Sequence, residues 1–121
     1  MRVIIVGSNS IHNISLVELA CYRAMQRWKR NNIIDYITEI ICGESLGVDV
    51  LTKILAAKAK ISTRIISKGH TDKMFKNVNA LIAIWDGKSP GTKMMIDLAK
   101  KKQLKVYVLQ LNSEESSNEK I

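Results

Sequence analysis

Residues 80–99 are Ala80-Leu-Ile-Ala-Ile-Trp-Asp-Gly-Lys-Ser-Pro-Gly-Thr-Lys-Met-Met-Ile-Asp-Leu-Ala99. A run of apolar residues, 80–85, is followed by a loop of small and polar residues, 86–92, and then at once by a helical pattern. The stretch therefore predicts a buried strand, a loop and a helix start. At such a junction several unpaired backbone N–H groups converge in front of the positive end of a helix dipole. It is a natural seat for a phosphate or another anion.

The same layout occurs twice more in the chain. The apolar run 2–6 leads into a small polar loop, 7–10, and the run 38–42 leads into a second one, 43–47, each before a helical pattern. Three glycine-bearing loops at strand ends favour one shared site, because glycine lets a ligand approach the backbone closely. The predicted ligand-binding residues are Gly7, Ser8, Asn9, Gly43, Glu44, Ser45, Gly47, Asp49, Asp86, Gly87, Lys88, Gly91, Thr92 and Lys93.

The order of elements predicts the fold class. Continuous apolar strands alternate with amphipathic helices, which is typical of a parallel sheet covered on both faces. We therefore expect an α/β fold, a Rossmann-like doubly wound parallel sheet of about five strands, with the first strand central and the second and fourth beside it. The three loops then meet at the carboxyl edge. The predicted strands are 2–6, 38–42, 62–66, 80–85 and 104–110; the predicted helices are 14–30, 46–60 and 91–102, with one short helix in the polar segment 67–79.

Length and composition predict one cytoplasmic domain. The chain has 121 residues, of which 46% are hydrophobic, and no apolar run approaches the length of a membrane span. Residues 1–111 are predicted to form a single domain and 112–121 a flexible polar tail. Neither a signal-peptide pattern nor a metal-ligand spacing occurs, so Cys21 and Cys42 are expected to be reduced core residues and no metal site is predicted.

The charge favours anionic partners. Nineteen Lys and Arg stand against 11 Asp and Glu, which gives a net charge of +8. Nucleotides, nucleic acid and acidic proteins are all compatible with that charge, as is a role in solubility alone. The run 100–102, three lysines, closes a predicted helix, where cations complement the dipole, and a nucleic-acid patch is the alternative. The aromatic residues do not alternate with basic ones as base-stacking platforms do.

Several candidate residues have a structural alternative. The glycines either contact a ligand or only shape turns. Thr92 and Ser45 either bind a phosphate or cap the following helices. Asp49 either binds a ribose hydroxyl or complements a helix dipole, and Asp86 either holds a ligand hydroxyl or makes an Asx turn.

The basic candidate residues also have a structural alternative. Lys88 and Lys93 either pair with a phosphate or are ordinary surface lysines. His12 and His70 have no carboxylate or cysteine partner at an indicative spacing, so they are interpreted as loop residues.

Three blocks resemble the SLOG superfamily, which includes the LOG phosphoribohydrolases and the SMF/DprA proteins. The first block is Val6-Gly7-Ser8, and the second is Gly43-Glu-Ser-Leu-Gly-Val-Asp49. The third is Trp85-Asp-Gly-Lys-Ser-Pro-Gly-Thr-Lys93, followed by Ile-Asp-Leu-Ala at 96–99. Together they are most similar to the small stand-alone YspA-like branch. The resemblance implies a nucleotide-binding Rossmann-like fold and a homo-oligomer.

Two departures from the pattern bear on catalysis. LOG enzymes carry a catalytic glutamate in Gly-Gly-x-Gly-Thr-x-x-Glu, and the matching position here is Met95, which has no acid–base group. The second glycine of the middle block is replaced by Glu44. We therefore expect a protein that binds a nucleotide or nucleotide-derived ligand as a sensor or sequestering protein, with no catalytic residue and no cofactor. The alternatives are an N-glycosidic hydrolase that uses Glu44 or Glu18 and a single-stranded DNA-binding module.

Overall fold

The computed structural model describes residues 1–29 and 36–111. Residue 30, the last of the first predicted helix, and the predicted tail, 112–121, lie outside the described residues. Strands and helices alternate along the described chain as the apolar patterns predict. In order, they are β1 Arg2–Gly7, α1 Ile14–Arg27, β2 Glu39–Cys42, α2 Val48–Ala59, β3 Ser62–Ile65, α3 Thr71–Met74, β4 Ala80–Trp85, α4 Pro90–Lys101 and β5 Lys105–Gln110.

The five described strands form one parallel sheet in the order β3-β2-β1-β4-β5. β1 is central, with β2 and β4 beside it, which confirms the predicted arrangement. Val3 is in register with Ile40 on one side and with Ala80 on the other. Because the chain leaves β1 toward one edge and later returns to build β4 and β5 on the other side, the direction of winding reverses between β1 and β4.

Helices cover both faces of the sheet. Val3 and Ile5 of β1 pack in the core layer under α1 and α2. Ile4 and Val6, which point to the other face, pack in the layer that includes residues of α3 and α4. All four of these β1 side chains are at most 8% exposed. This explains the unbroken apolar run, since a strand buried on both faces has no polar side. The predicted doubly wound α/β fold is confirmed.

Helix α2 begins two residues later than predicted. The predicted start was 46, but Gly47 has φ +72° and Val48 is the first helical residue. A left-handed backbone cannot belong to a right-handed helix, so Gly47 fixes the boundary. Helix α1 ends at Arg27 rather than at 30, and Lys29 there has a left-handed backbone with φ 57°.

Both cysteines are buried and unpaired, as the sequence predicts. Burial, with a smaller contribution from Glu18, raises the pKa of Cys21 to about 12. Burial, with a smaller contribution from Asp49, raises the pKa of Cys42 to about 11. Both thiols are therefore protonated at neutral pH and behave as small apolar side chains. None of the described helices combines the length and the apolar character needed to cross a membrane.

Thr52 on α2 is the position where one substitution should stabilise the fold. Its side chain is fully buried, and its Oγ1 has no hydrogen-bond partner within the described residues. We expect Thr52→Val, which keeps the shape and removes the unpaired hydroxyl, to raise the free energy of unfolding by about 1 kcal/mol. Urea unfolding checks this, with exposed Thr63→Val as the control, for which we expect about 0.5 kcal/mol or less. A loss of stability in Thr52→Val would contradict the assignment of an unpaired hydroxyl.

Candidate functional site

A cleft of about 840 Å³ lies at the carboxyl edge of the sheet. It opens where β1 and β4 end side by side: Gly7 is in register with Ile84, and the Ser8 N–H donates to the Ile84 carbonyl at 3.1 Å. This is the point at which the winding of the sheet reverses, where open α/β sheets bind ligands. Ten of the predicted residues line the cleft, namely Gly7, Ser8, Asn9, Gly43, Glu44, Ser45, Asp49, Asp86, Gly91 and Thr92.

Hydrogen bonds between side chains join the first and third loops. Ser8 is 1% exposed, and its Oγ accepts from the Asp86 N–H at 3.1 Å and lies 3.0 Å from the Ser89 Oγ. The Ser89 hydroxyl also lies 3.0 Å from the Asp86 carboxylate. The two loops, 78 residues apart in the sequence, are therefore held as one rigid rim of the cleft.

Asp86 makes the turn that leads into α4. Its Oδ1 accepts the backbone N–H groups of Lys88 and Ser89, each at 2.8 Å, which is an Asx turn. Partial burial raises the pKa of Asp86, but the hydrogen bonds from Ser89, Lys88 and Ser8 outweigh it and hold the pKa below the ordinary value. Of the two roles predicted for Asp86, the Asx turn is therefore present in the structure. The carboxylate already accepts hydrogen bonds from the protein.

Loss of the Asp86 carboxylate should destabilise the fold in a pH-dependent way. We expect Asp86→Ala to lower the free energy of unfolding by about 1–2 kcal/mol at pH 7, because the Lys88 and Ser89 N–H groups lose their acceptor. A carboxyl group whose pKa is lower in the folded state stabilises at pH values above its unfolded pKa, and the effect is lost as the pH falls through the folded pKa. The difference in unfolding free energy between the two proteins should therefore shrink as the pH falls below 3.8, the ordinary pKa of an aspartate.

Urea unfolding of both proteins between about pH 3 and pH 7 measures that difference. The matched control is Asp97→Ala, since Asp97 forms an exposed i,i+4 pair with Lys93 at 2.8 Å and should contribute about 0.5 kcal/mol or less. Equal losses in Asp86→Ala and Asp97→Ala would show that the Asx turn is not required.

The first turn of α4 presents free hydrogen-bond donors to the cleft. The N-cap is Ser89, whose side chain makes no capping bond because it faces Ser8 and Asp86, and Pro90 has no N–H. Within the described residues, the N–H groups of Gly91 and Thr92 have no acceptor. The Thr92 side chain is 7% exposed, lines the cleft and has no hydrogen-bond partner among these residues. Thr92 is therefore not the helix cap, and three donors in one turn remain available to a ligand.

The five predicted loop positions are occupied by glycine for different structural reasons. A Cβ on Gly7 would lie 2.4 Å from the Val48 side chain and 2.5 Å from the Ile84 carbonyl, and one on Gly47 would lie 2.6 Å from the Ser8 carbonyl. These two glycines let the chain pack against itself. Gly87 has φ +82° in the Asx turn, and a Cβ on Gly43 would lie 2.8 Å from the Asp49 carboxylate. Only Gly91 among the five faces open space, with no atom within 4 Å of an added Cβ.

Asp49 closes the second loop. Its carboxylate is mostly buried and accepts the Ser45 N–H at 3.0 Å. Burial raises the pKa of Asp49, and the backbone donors of Ser45 and Gly43 together with Lys53 oppose the rise without cancelling it. Ser45 is not a helix cap, because the cap of α2 is Gly47. The Asp49 carboxylate thus binds N–H groups of this loop. Fewer backbone donors therefore remain for a ligand here than at α4.

The structure brings different basic side chains to the cleft from those predicted. Lys88, Lys93, Gly47 and Gly87 do not line it, and Lys93 pairs with Asp97. Instead, Lys68 and His70 line the wall that follows β3. The sequence pattern does not mark them as site residues because the segment has no apolar periodicity. The available signal was topological, since a residue that follows any strand of a parallel sheet arrives at the same edge.

Apolar side chains form one part of the wall. Val6, Ile66, Met74, Met94 and Met95 line the cleft, and Met95 is 7% exposed. These residues offer a flat molecule an apolar surface beside the donors of α4. Of the two glutamates considered above for hydrolysis, Glu44 is exposed and lines the cleft, whereas Glu18 lies on α1 and is not among the lining residues.

Comparisons of the chain with known protein families, with curated proteins and with solved structures found no match. The functional interpretation therefore depends on the geometry of the cleft and on the resemblance described above.

Proposed function

We propose that the protein binds a nucleotide or nucleotide-derived ligand whose phosphate occupies the first turn of α4. One observation carries the proposal: the Gly91 and Thr92 N–H groups and the Thr92 hydroxyl have no partner among the described residues and open on the cleft. A phosphate accepts several such bonds at once, and the positive end of the helix dipole favours its charge. The open space at Gly91 admits it to within hydrogen-bond distance of the backbone.

The remainder of the ligand extends along the cleft toward the loops after β1 and β2. The apolar surface around Met94 and Met95 suits the face of a base, and Asn9 and Glu44 supply polar groups for ribose and base edges. The volume of about 840 Å³ accommodates a molecule of that size. Lys68 stands on the wall that follows β3 and adds positive charge near an anion.

Binding without turnover is the form of the proposal that the side chains support. Met95 occupies the position at which the resemblance implies a catalytic glutamate, and a thioether neither gives nor takes a proton. A sensor or a sequestering protein in the cytoplasm, related to the SLOG superfamily and assembled as a homo-oligomer, is consistent with these residues. The family and the assembly are what the resemblance implies, and the location follows from the composition.

Calorimetric titration with a nucleoside monophosphate, its parent nucleoside and ribose 5-phosphate tests the proposal. If the phosphate lies at α4, we expect the monophosphate to bind at least about tenfold more tightly than the nucleoside, since each charged hydrogen bond contributes about 1.5–3 kcal/mol. All the common bases are tried in turn, and chromatography of the same mixtures shows whether free base is released. Equal affinity for monophosphate and nucleoside would contradict a phosphate site, and base release by the purified protein would contradict binding without turnover.

A further inference from the structure

The end of the sheet opposite the cleft carries a concentration of positive charge. In an all-parallel sheet the starts of the strands and the ends of the helices share one edge, and basic residues occupy many of these positions here. We call the exposed basic residues on the half of this edge formed by β1, β4, β5 and the end of α4 the basic edge. It consists of Arg2, Lys76, Lys100, Lys101, Lys102 and Lys105.

Backbone contacts place Arg2 and Lys105 on the two sides of Asn79. Asn79 donates its N–H to the Arg2 carbonyl at 2.9 Å and accepts the Lys105 N–H on its own carbonyl at 3.3 Å. Strands β1 and β5 flank β4, so Arg2 and Lys105 are separated by two strand spacings, or about 10 Å. The Lys102 ammonium lies 5.6 Å from the centre of the Phe75 ring, directly after α3. At low ionic strength the Debye length exceeds these separations, so the charges act together on a ligand.

Little negative charge opposes the basic edge. Of the acidic residues in the described ranges, Glu39 is the only one at the start of a strand. It lies 3.8 Å from the Arg2 guanidinium and 3.3 Å from that of Arg64, so one carboxylate serves two cations. The carboxyl end of a helix carries only about half a negative charge, which three consecutive lysines at the end of α4 exceed several-fold.

We propose that the basic edge binds the sugar–phosphate backbone of a nucleic acid without reading its bases. Two aromatic rings near this edge already have a cation beside them: Lys102 lies over Phe75, and Arg27 lies 5.8 Å from the centre of the Tyr107 ring. A base that stacked on either ring would compete with that cation for the ring face. The proposal is independent of the function proposed for the cleft, which lies at the other end of the strands.

The same surface lacks what a membrane-bound face requires. The large exposed apolar side chains of the described chain belong to other regions, such as Leu46 in the loop before α2, Ile65 at the end of β3 and Met94 in the first half of α4. A helix or edge that enters a lipid interface presents apolar groups next to its cations. Cations alone match a chain of phosphates better.

Fluorescence anisotropy with a labelled oligothymidylate and a labelled duplex of similar length tests the proposal at several salt concentrations. The test protein carries Lys100→Gln, Lys101→Gln and Lys102→Gln, and the control carries Arg23→Gln, Lys88→Gln and Lys93→Gln. Both lose three exposed positive charges, but only the first loses them from the basic edge. We expect the first variant to bind about tenfold more weakly at low salt and its salt slope on the single strand to fall by about 2, at roughly 0.7 for each phosphate contact.

The control should bind within about twofold of the unmodified protein, and single strands of different base sequence should bind with similar affinities, because backbone contacts carry no sequence information. Preference between the single strand and the duplex identifies which backbone geometry fits the edge. Equal losses in the two variants would overturn the proposal, since net charge alone would then account for binding. Absence of oligonucleotide binding at low salt, or binding to vesicles of anionic phospholipid but not to oligonucleotides, would overturn it as well.

Discussion

Gly91→Val should abolish most of the ligand affinity and leave the fold intact. The added side chain starts in open space, since no atom lies within 4 Å of a Cβ at this position. Valine is also a slightly better helix former than glycine. A phosphate, however, could no longer approach the Gly91 and Thr92 N–H groups, and loss of two charged hydrogen bonds corresponds to about 100-fold in Kd.

Calorimetry with the nucleoside monophosphate that binds best measures the effect, and urea unfolding shows that the variant is folded. The matched control is Ala57→Val, which adds similar bulk to an exposed position of α2 away from the cleft. We expect the control to bind like the unmodified protein. If Gly91→Val and Ala57→Val bind the ligand with equal affinity, the phosphate does not lie at α4.

Gly47→Ala should have the largest effect on stability. Gly47 has φ +72°, and a Cβ there would lie 2.6 Å from the carbonyl oxygens of both Ser8 and Asn9. Backbone atoms cannot rotate away as a side chain does, so the first loop has to shift. We expect a loss of about 4 kcal/mol or more, which leaves a domain of this size partly or wholly unfolded.

Gly69→Ala separates the cost of a positive φ from the cost of the steric clash. Gly69 also has a positive φ, +89°, but no atom lies within 4 Å of an added Cβ. It should therefore show only the conformational cost, about 1 kcal/mol. Urea or thermal unfolding compares the two variants. Similar losses in both would mean that the contact between Gly47 and the first loop does not hold the cleft together.

The sequence predicts the sheet well because the central strands are buried on both faces. Runs such as 80–85 have no polar side, and in a chain where they alternate with amphipathic helices that pattern is typical of a covered parallel sheet. The positions of the helix ends are less predictable. The start of α2 depends on the backbone angle of Gly47, and the residue type alone does not reveal the sign of φ.

The site is predictable in outline only. A glycine indicates that space is needed, but not whether the protein or a ligand fills it. Gly7 turns out to accommodate Val48 and Ile84 of the protein itself, whereas Gly91 faces open space. In the same way, Lys68 and Lys93 both follow a small hydroxyl residue, and only the arrangement of the strands decides that the first lines the cleft and the second does not.

Backbone amide NMR during titration with the nucleoside monophosphate is the most direct test of the phosphate position. The account predicts that the Gly91 and Thr92 N–H resonances move downfield and saturate at the same ligand concentration as the calorimetric signal, because these groups become donors to a charged acceptor. Saturable binding in which those two resonances stay in place while others shift would contradict it.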